Sequence, residues 1–367
     1  MSLFPKFLYP VYDPCKNVLD AAKDWGGGRL ESTDDYDLVM SQPFRVAAVR
    51  VLFNDPTVYG YNPQVGNVDW SKFDLVLLSD QEYFTPSQVR IWATKNGIRK
   101  YLFAAGGTTA EDPLNPEFEI HRPHFVNVFL ERNVYQDTAA DSKPYMFDVM
   151  LGARRPHRDW VMLALTKSGL LDSTVTTYRS GFPGEVVNEQ NQQFAQKFAD
   201  TDLNWPYVSP NLDPAWEVPE VSNRISCITP NGIYKNTWYT ITCETLSTGS
   251  TFYFSEKTVK AMFNKRIFVV FGPQYFLANL KKMGFETFGS YIDESYDQEP
   301  LDDVRYSKAM LQVMRLAWLE DPVQVHRSLK FAVDQNYQRL HSLQVQYQWD
   351  MREMLHKHIS AEHWLWN

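Results

Sequence analysis

Phe73 to Ala105 reads FDLVLLSDQEYFTPSQVRIWATKNGIRKYLFAA: an apolar run, a polar stretch opened by proline and closed by glycine, and a second apolar run. A run that is apolar at nearly every position, rather than every second one, suits a strand buried on both faces, as in parallel sheets. Phe73 to Leu78 and Lys100 to Ala105 are therefore read as strands, with Pro86 to Asn96 as the helix between them, ending at Gly97. Strand, helix, strand is the βαβ unit, and it predicts an open, doubly wound α/β sheet. Arg45 to Phe53 (RVAAVRVLF) and Phe125 to Leu130 (FVNVFL) have the same character and are expected as further strands.

A second series of the same kind begins near Tyr145. Met146 to Leu151 and the β-branched Ser173 to Tyr178 read as strands, and Pro156 to Lys167 as the helix between them, ending at Gly169. Residues 181 to 224 lack periodicity and read as a long excursion. Order resumes with a strand at Trp238 to Cys243, a helix from Glu256 to Asn264, a strand at Ile267 to Phe271 and a helix from Pro273 to Met283, stopped by Gly284. From Asp302 the chain reads as helical. Leu329, Val333, Leu340, Leu343, Tyr347 and Met354, spaced by threes and fours, give one apolar stripe on a long helix. That stripe suits either packing across the domains or a coiled-coil dimer. The expected division is 1–144, 145–320 and a helical extension, 321–367.

With 367 residues, 44% of them apolar, the chain is long enough for about two domains with full cores. The longest apolar runs fall short of the roughly 18 to 20 residues of a membrane span. Met1 to Tyr12 lacks the basic start and unbroken apolar run of a secretory signal, so it is read as part of the mature protein. Cys15, Cys227 and Cys243, odd in number and widely spaced, suit a reducing compartment, and the cytoplasm is the expected location. A net charge of −8 argues against binding nucleic acid through a whole-surface positive field, while leaving room for a local basic groove.

Two segments carry candidate chemistry. In Tyr253 to Pro273 (YFSEKTVKAMFNKRIFVVFGP), Ser255 is a good N-cap that places Glu256 and Lys257 in the first helical turn, beside free backbone N–H groups. Such an end binds anions: the lysine suits phosphate, and the glutamate suits ribose hydroxyls. The competing reading has Glu256 merely complementing the helix dipole and Lys257 solvated. In Gly152 to Trp160 (GARRPHRDW), Arg154 and Arg155 follow a strand, and Arg158 lies in the first turn of a helix, where a cation opposes the dipole. Guanidiniums at a strand end suit a pyrophosphate, the alternative being a surface cluster paired with acids such as Asp159. Asp293, Glu294 and Asp297 form an acidic run read as a solvated or capping loop rather than a metal site.

Tyr253, Glu256-Lys257, Ala261 and the strand ending in Phe271-Gly272-Pro273 resemble the donor-binding motif of fucosyltransferases and their relatives. Upstream, Glu244 occupies the place of that family's phenylalanine-glutamate-asparagine element, with Thr245 where asparagine is usual. Arg154 to Arg158 and, downstream, Gly284-Phe285, Thr287-Phe288 and Asp293 to Asp297 look like segments of phage-encoded glycosyltransferases related to that group. The resemblance covers roughly residues 145 to 320 and implies a GT-B type fold: two Rossmann-like domains facing across a cleft, here with a long C-terminal helix. It also implies that Glu256 binds the donor ribose, Lys257 the diphosphate, Tyr253 the nucleoside region, and Arg154 or Arg158 the leaving phosphate.

The function expected on this basis is transfer of a hexosyl or pentosyl group from a nucleotide-sugar donor to an acceptor hydroxyl. Cations and a helix end would stabilise the leaving group, without a metal or other cofactor. An inverting enzyme also needs an acceptor base. Asp80 and Glu82, after Phe73 to Leu78, are ranked first, with Glu131 after Phe125 to Leu130 next. One expected acceptor is a hydroxymethylated pyrimidine in phage DNA, with Lys95, Arg99 and Lys100 beside Trp92 and Tyr101, or His121, Arg122 and His124, as basic patches. The alternatives are a surface glycan, or a non-catalytic scaffold that keeps the donor fold.

Overall fold

The computed structural model describes residues 6–14, 25, 30–51, 68–80, 85–123, 126, 129–131, 133–152, 155–178, 207–208, 229–359 and 363–365. The chain forms two compact units, Met1–His124 with Ser342–Asn367, and Phe125–His341.

The first unit is built on a six-stranded sheet of β1 (Val11–Tyr12), β2 (Ser32–Thr33), β3 (Val46–Val51), β4 (Leu75–Asp80), β5 (Tyr101–Ala105) and β6 (Glu119–His121). Its order is β2-β1-β3-β4-β5-β6, with every neighbouring pair parallel. One face buries Val46, Ala48, Leu75, Leu77, Leu102 and Ala104, and the other Ala47, Val49, Val76, Leu78, Phe103 and Ala105. Alternate residues thus go to opposite layers, both dry, which is why the strands read as unbroken apolar runs. Helix α1 (Pro86–Lys95) covers the second face with Val89 and Ala93. It begins with a capping box in which Thr85 Oγ1 accepts from Gln88 N and Thr85 N donates to Gln88 Oε1.

The second unit repeats the logic with β7 (Tyr145–Leu151), β8 (Thr174–Tyr178), β9 (Tyr207–Val208), β10 (Thr237–Cys243) and β11 (Ile267–Phe271). The order is β9-β8-β7-β10-β11, parallel apart from the antiparallel edge strand β9. The crossovers are α2 (Pro156–Lys167) from β7 to β8, and α4 (Glu256–Phe263) from β10 to β11, with the short α3 (Asn231–Asn236) leading into β10. Gly169, predicted to stop α2, has φ of 72°, open to glycine at little cost. Then come α5 (Phe276–Lys282), α6 (Asp302–Trp318), α7 (Pro322–Ser328) and α8 (Lys330–His358). Two doubly wound α/β units and a long C-terminal helix are therefore present, as the sequence predicted.

Phe125 to Leu130 is not a strand: of its described residues, Val126, Phe129 and Leu130 are helical. A short apolar run is compatible with either structure, and here Val126 and Phe129, three apart, lie on one buried helical face. Phe129 packs edge-on to Phe263 at 5.2 Å, and Asn133 Oδ1 accepts from Thr229 N at 2.9 Å. These contacts draw residues from 125 onward into the second unit, so the division falls before 125 and not at 144.

The C-terminal extension is not a separate body either, because α8 contributes to each unit in turn. Its stripe residues Leu340, Leu343, Tyr347 and Met354 are all buried, and Met351, Met354 and Leu355 join the first unit's core. The apolar stripe thus packs into the chain's own cores. The excursion read at 181–224 lies outside the described residues except for β9.

Candidate functional site

In the second sheet the chain runs outward from β7 to β8, then returns to β10 beside β7 and winds the other way to β11. The loops leaving the carboxyl ends of β7 and β10 therefore diverge. That crevice is where open α/β sheets bind ligands, and both predicted segments end there.

On the β10 side, Ser255 is the N-cap of α4 and its Oγ accepts from Lys257 N at 3.3 Å. Lys257 Nζ donates to Glu256 Oε1 at 2.6 Å and to Thr245 Oγ1 at 3.1 Å. The two charged side chains are 13% and 16% exposed, so their attraction is only partly screened. Burial pushes the Glu256 carboxyl up, but the adjoining Lys257 ammonium outweighs it and holds the group below its ordinary range.

Glu244 is fully buried under the start of α4. It accepts a short hydrogen bond from Thr258 and a longer one from Thr245 N at 3.3 Å. Burial raises its pKa against the pull of Lys257 and of the Ser255 and Thr258 hydroxyls. Its carboxylate, which the sequence assigned to the donor, here ties the β10 loop to the helix.

On the β7 side, Arg155 is the N-cap residue of α2 and donates from Nη1 to Thr245 O at 3.3 Å. Arg155 and Lys257, 102 positions apart, thus meet on one residue of the β10 loop. Arg158 is 3% exposed, and a Cβ placed on Gly152 would lie 4.0 Å from its Nη1, so the guanidinium sits against the end of β7. Arg158 and Lys257 also act on the same groups. Burial raises the Cys243 thiol to about 12 against the pull of both cations. The His157 imidazole is held well below its ordinary range by burial and by Arg158, Arg155 and Lys257. Cations sheltered from water at two helix starts bind anions better than exposed ones.

Tyr253 is 2% exposed, two residues before the Ser255 cap. Arg154 and Glu82 lie outside the described residues. Asp80 is the last residue of β4, 3% exposed, at the carboxyl end where it was expected. Glu131 is exposed on the helical segment that replaces the predicted strand, so the strand-end argument for it no longer applies.

The expected DNA-facing patches are largely spent on structure. Lys100 donates to His358 O at 3.0 Å, Trp92 packs 6.0 Å from Trp70, and Tyr101 donates to Glu119 at 2.9 Å. Arg122 is buried, and burial lowers His121 to about 4, so neither adds a surface charge near neutral pH; His124 lies outside the described residues. Lys95 and Arg99 remain exposed.

The acidic run caps, as read. Asp293 accepts from Ser295 N, Glu294 from Phe288 N and Lys281, and Asp297 from Leu277 N and Ala278 N. No group of three or more metal-ligating side chains suited to a metal ion occurs among the described residues, and no described helix is long and apolar enough to cross a membrane.

Sequence reasoning did not select Thr245, Thr258 or His157 as parts of the site, because their roles depend on partners about ten to ninety positions away. It also missed the fully buried Asp148 on β7, which accepts from Arg266 at 2.8 Å and from Thr237 and Thr240 on β10. Within this network Lys143 donates to Tyr234 O and Thr237 O, and burial with the nearby Arg266 charge lowers it to about 7.

No protein-family model and no curated protein matches the chain. Among solved structures, a mutant of T4 phage BGT in complex with UDP-glucose is similar at a TM-score of 0.43 and 10% identity, over 91% of this chain and 87% of that one.

Proposed function

We propose that the protein is a glycosyltransferase whose second unit binds a nucleotide-sugar donor through its pyrophosphate. The observation that carries this reading is the meeting of Arg155 and Lys257 on Thr245 at the switch point of the sheet, with Arg158 beside them. The motif resemblance around Tyr253, Glu256 and Lys257 supports the sugar-nucleotide part, and the GT-B architecture is proposed with it.

In this reading Lys257 leaves Glu256 for a phosphate oxygen, and the released carboxylate accepts from the donor's ribose hydroxyls. Arg158 or Arg154 takes the charge that develops on the leaving nucleoside diphosphate. Fixed cations in a water-poor pocket stabilise such charge without reorganising as it forms. Asp80 is proposed as the base that accepts the acceptor hydroxyl's proton, with Glu82 as the alternative. The proposed acceptor is a hydroxymethylated pyrimidine in DNA, read with the phage-like segments, and a surface glycan is the runner-up.

A thermal-shift panel of nucleoside diphosphates and nucleotide sugars tests the donor site, since a ligand bound to the native state raises its apparent stability. Selective protection is expected, together with its loss in Lys257→Ala and Arg158→Ala. Protection by no nucleotide would overturn the reading. Incubation of the protecting nucleotide sugar with hydroxymethylated DNA, unmodified DNA and simple saccharides, followed by mass analysis, identifies the acceptor. Glycosylation of unmodified DNA or saccharides, with none of the hydroxymethylated base, would replace the proposed acceptor.

A further inference from the structure

The loop that leaves β10 at the switch point has its backbone carbonyls held one after another by side chains from elsewhere. Glu244 O accepts from His157 at 2.9 Å, Thr245 O from Arg155 at 3.3 Å, and Ser247 O from Arg305 at 2.9 Å and from Tyr306. Carbonyls that already accept a hydrogen bond present less negative charge to an anion. The last two donors belong to α6, while His157 and Arg155 belong to the start of α2, which also carries Arg158.

A carbonyl oxygen only accepts, so Nε2 of His157 carries the proton in this contact. The imidazole is 3% exposed, with Tyr306 6.5 Å away, centroid to centroid. An uncharged donor suits this position, because the charges of Arg158, Arg155 and Lys257 all act on the ring and would repel a further cation. The contact fixes the residue immediately before Thr245, whose Oγ1 receives Lys257.

We infer that His157 is a positioning residue for the pyrophosphate pocket: by holding Glu244 O, it sets the loop on which Thr245 places Lys257. This rests on the proposed reading of the pocket. A role in packing alone would need the ring's volume and not its N–H. The alternative carrier of the effect, the Arg155 contact with Thr245 O, is longer and comes from a guanidinium whose buried Nε has no hydrogen-bond partner among the described residues.

The test is calorimetric titration of inorganic pyrophosphate, and of the nucleoside diphosphate that protects the unaltered protein, into His157→Gln, His157→Leu and Thr245→Val. Glutamine places an N–H donor near the position of Nε2, and leucine supplies bulk without one. His157→Leu is expected to weaken both ligands about tenfold, with His157→Gln within about threefold of the unaltered protein. In the double variant His157→Leu with Thr245→Val the two losses are expected to be less than additive, because they act through one chain of contacts.

Should His157→Leu fail to fold, His157→Asn, whose amide is too short to reach Glu244 O, takes its place beside His157→Gln. Equal affinities for the leucine and glutamine variants, or full additivity with Thr245→Val, would overturn the inference while leaving the pocket standing. If the unaltered protein binds neither pyrophosphate nor any nucleoside diphosphate, the pocket reading falls, and this inference with it.

Discussion

His326 shows how one side chain takes its chemistry from its surroundings. Its ring stacks on Tyr239 at 5.6 Å and lies 5.4 Å from Trp238, while Nε2–H donates to Trp238 O at 3.0 Å. Burial first, and then the charge of Arg266, lowers its pKa from 6.5 to about 4. The unfolded chain therefore binds a proton between those values that the folded chain does not. Stability is expected to fall as pH drops from 6.5 toward 4, with His121, also lowered to about 4 by burial, adding to the fall. His326→Gln keeps a donor and removes the titration, so urea denaturation at pH 7 and pH 5 should show a smaller difference than in the unaltered protein. An undiminished difference would assign the acid sensitivity elsewhere. Lys257 also takes its setting from its neighbours: its partners are the adjacent Glu256 and Thr245 of the β10 loop, and only the first could be read along the chain.

Among the elements, α4 joins the fold to the proposed chemistry most directly. Its boundaries, its Ser255 cap and the Glu256-Lys257 turn were all legible, because capping and dipole rules act within a few residues. Replacing Ser255 by alanine removes the acceptor for Lys257 N and a hydroxyl that supports the Glu244 carboxylate. The expected cost is about 1 kcal/mol of stability, measured by urea denaturation, with weaker nucleotide protection alongside it. Loss of stability with unchanged protection would separate the cap from the binding pocket. The segment at 125–130 marks the limit of this kind of reading. Its apolar run is too short for periodicity to choose between strand and helix, and contact with Phe263 made the choice.

For the molecule as a whole, α8 serves both cores. Its stripe predicted burial correctly but could not say against what. Leu355 is 1% exposed among Val46, Leu75 and Leu102 of the first sheet's core cluster. Leu355→Ala is expected to destabilise the first unit by about 2–5 kcal/mol, since deletion of a buried side chain loses transfer energy and leaves a cavity. Hydrogen exchange resolved by segment reads this as faster exchange in β3 to β5, with β7, β10 and β11 less affected. Equal acceleration across all these strands would mean that the two units unfold as one.

The local order of strands and helices, the caps, and the candidate cations could all be read from the chain, because those signals arise between neighbours in sequence. Direction of winding, the switch point, the diversion of Glu244 and His157 into the loop's support, and the fate of the C-terminal stripe depended on tertiary contacts. Each joins positions tens to hundreds of residues apart, where periodicity and local propensity carry no information about which surfaces meet.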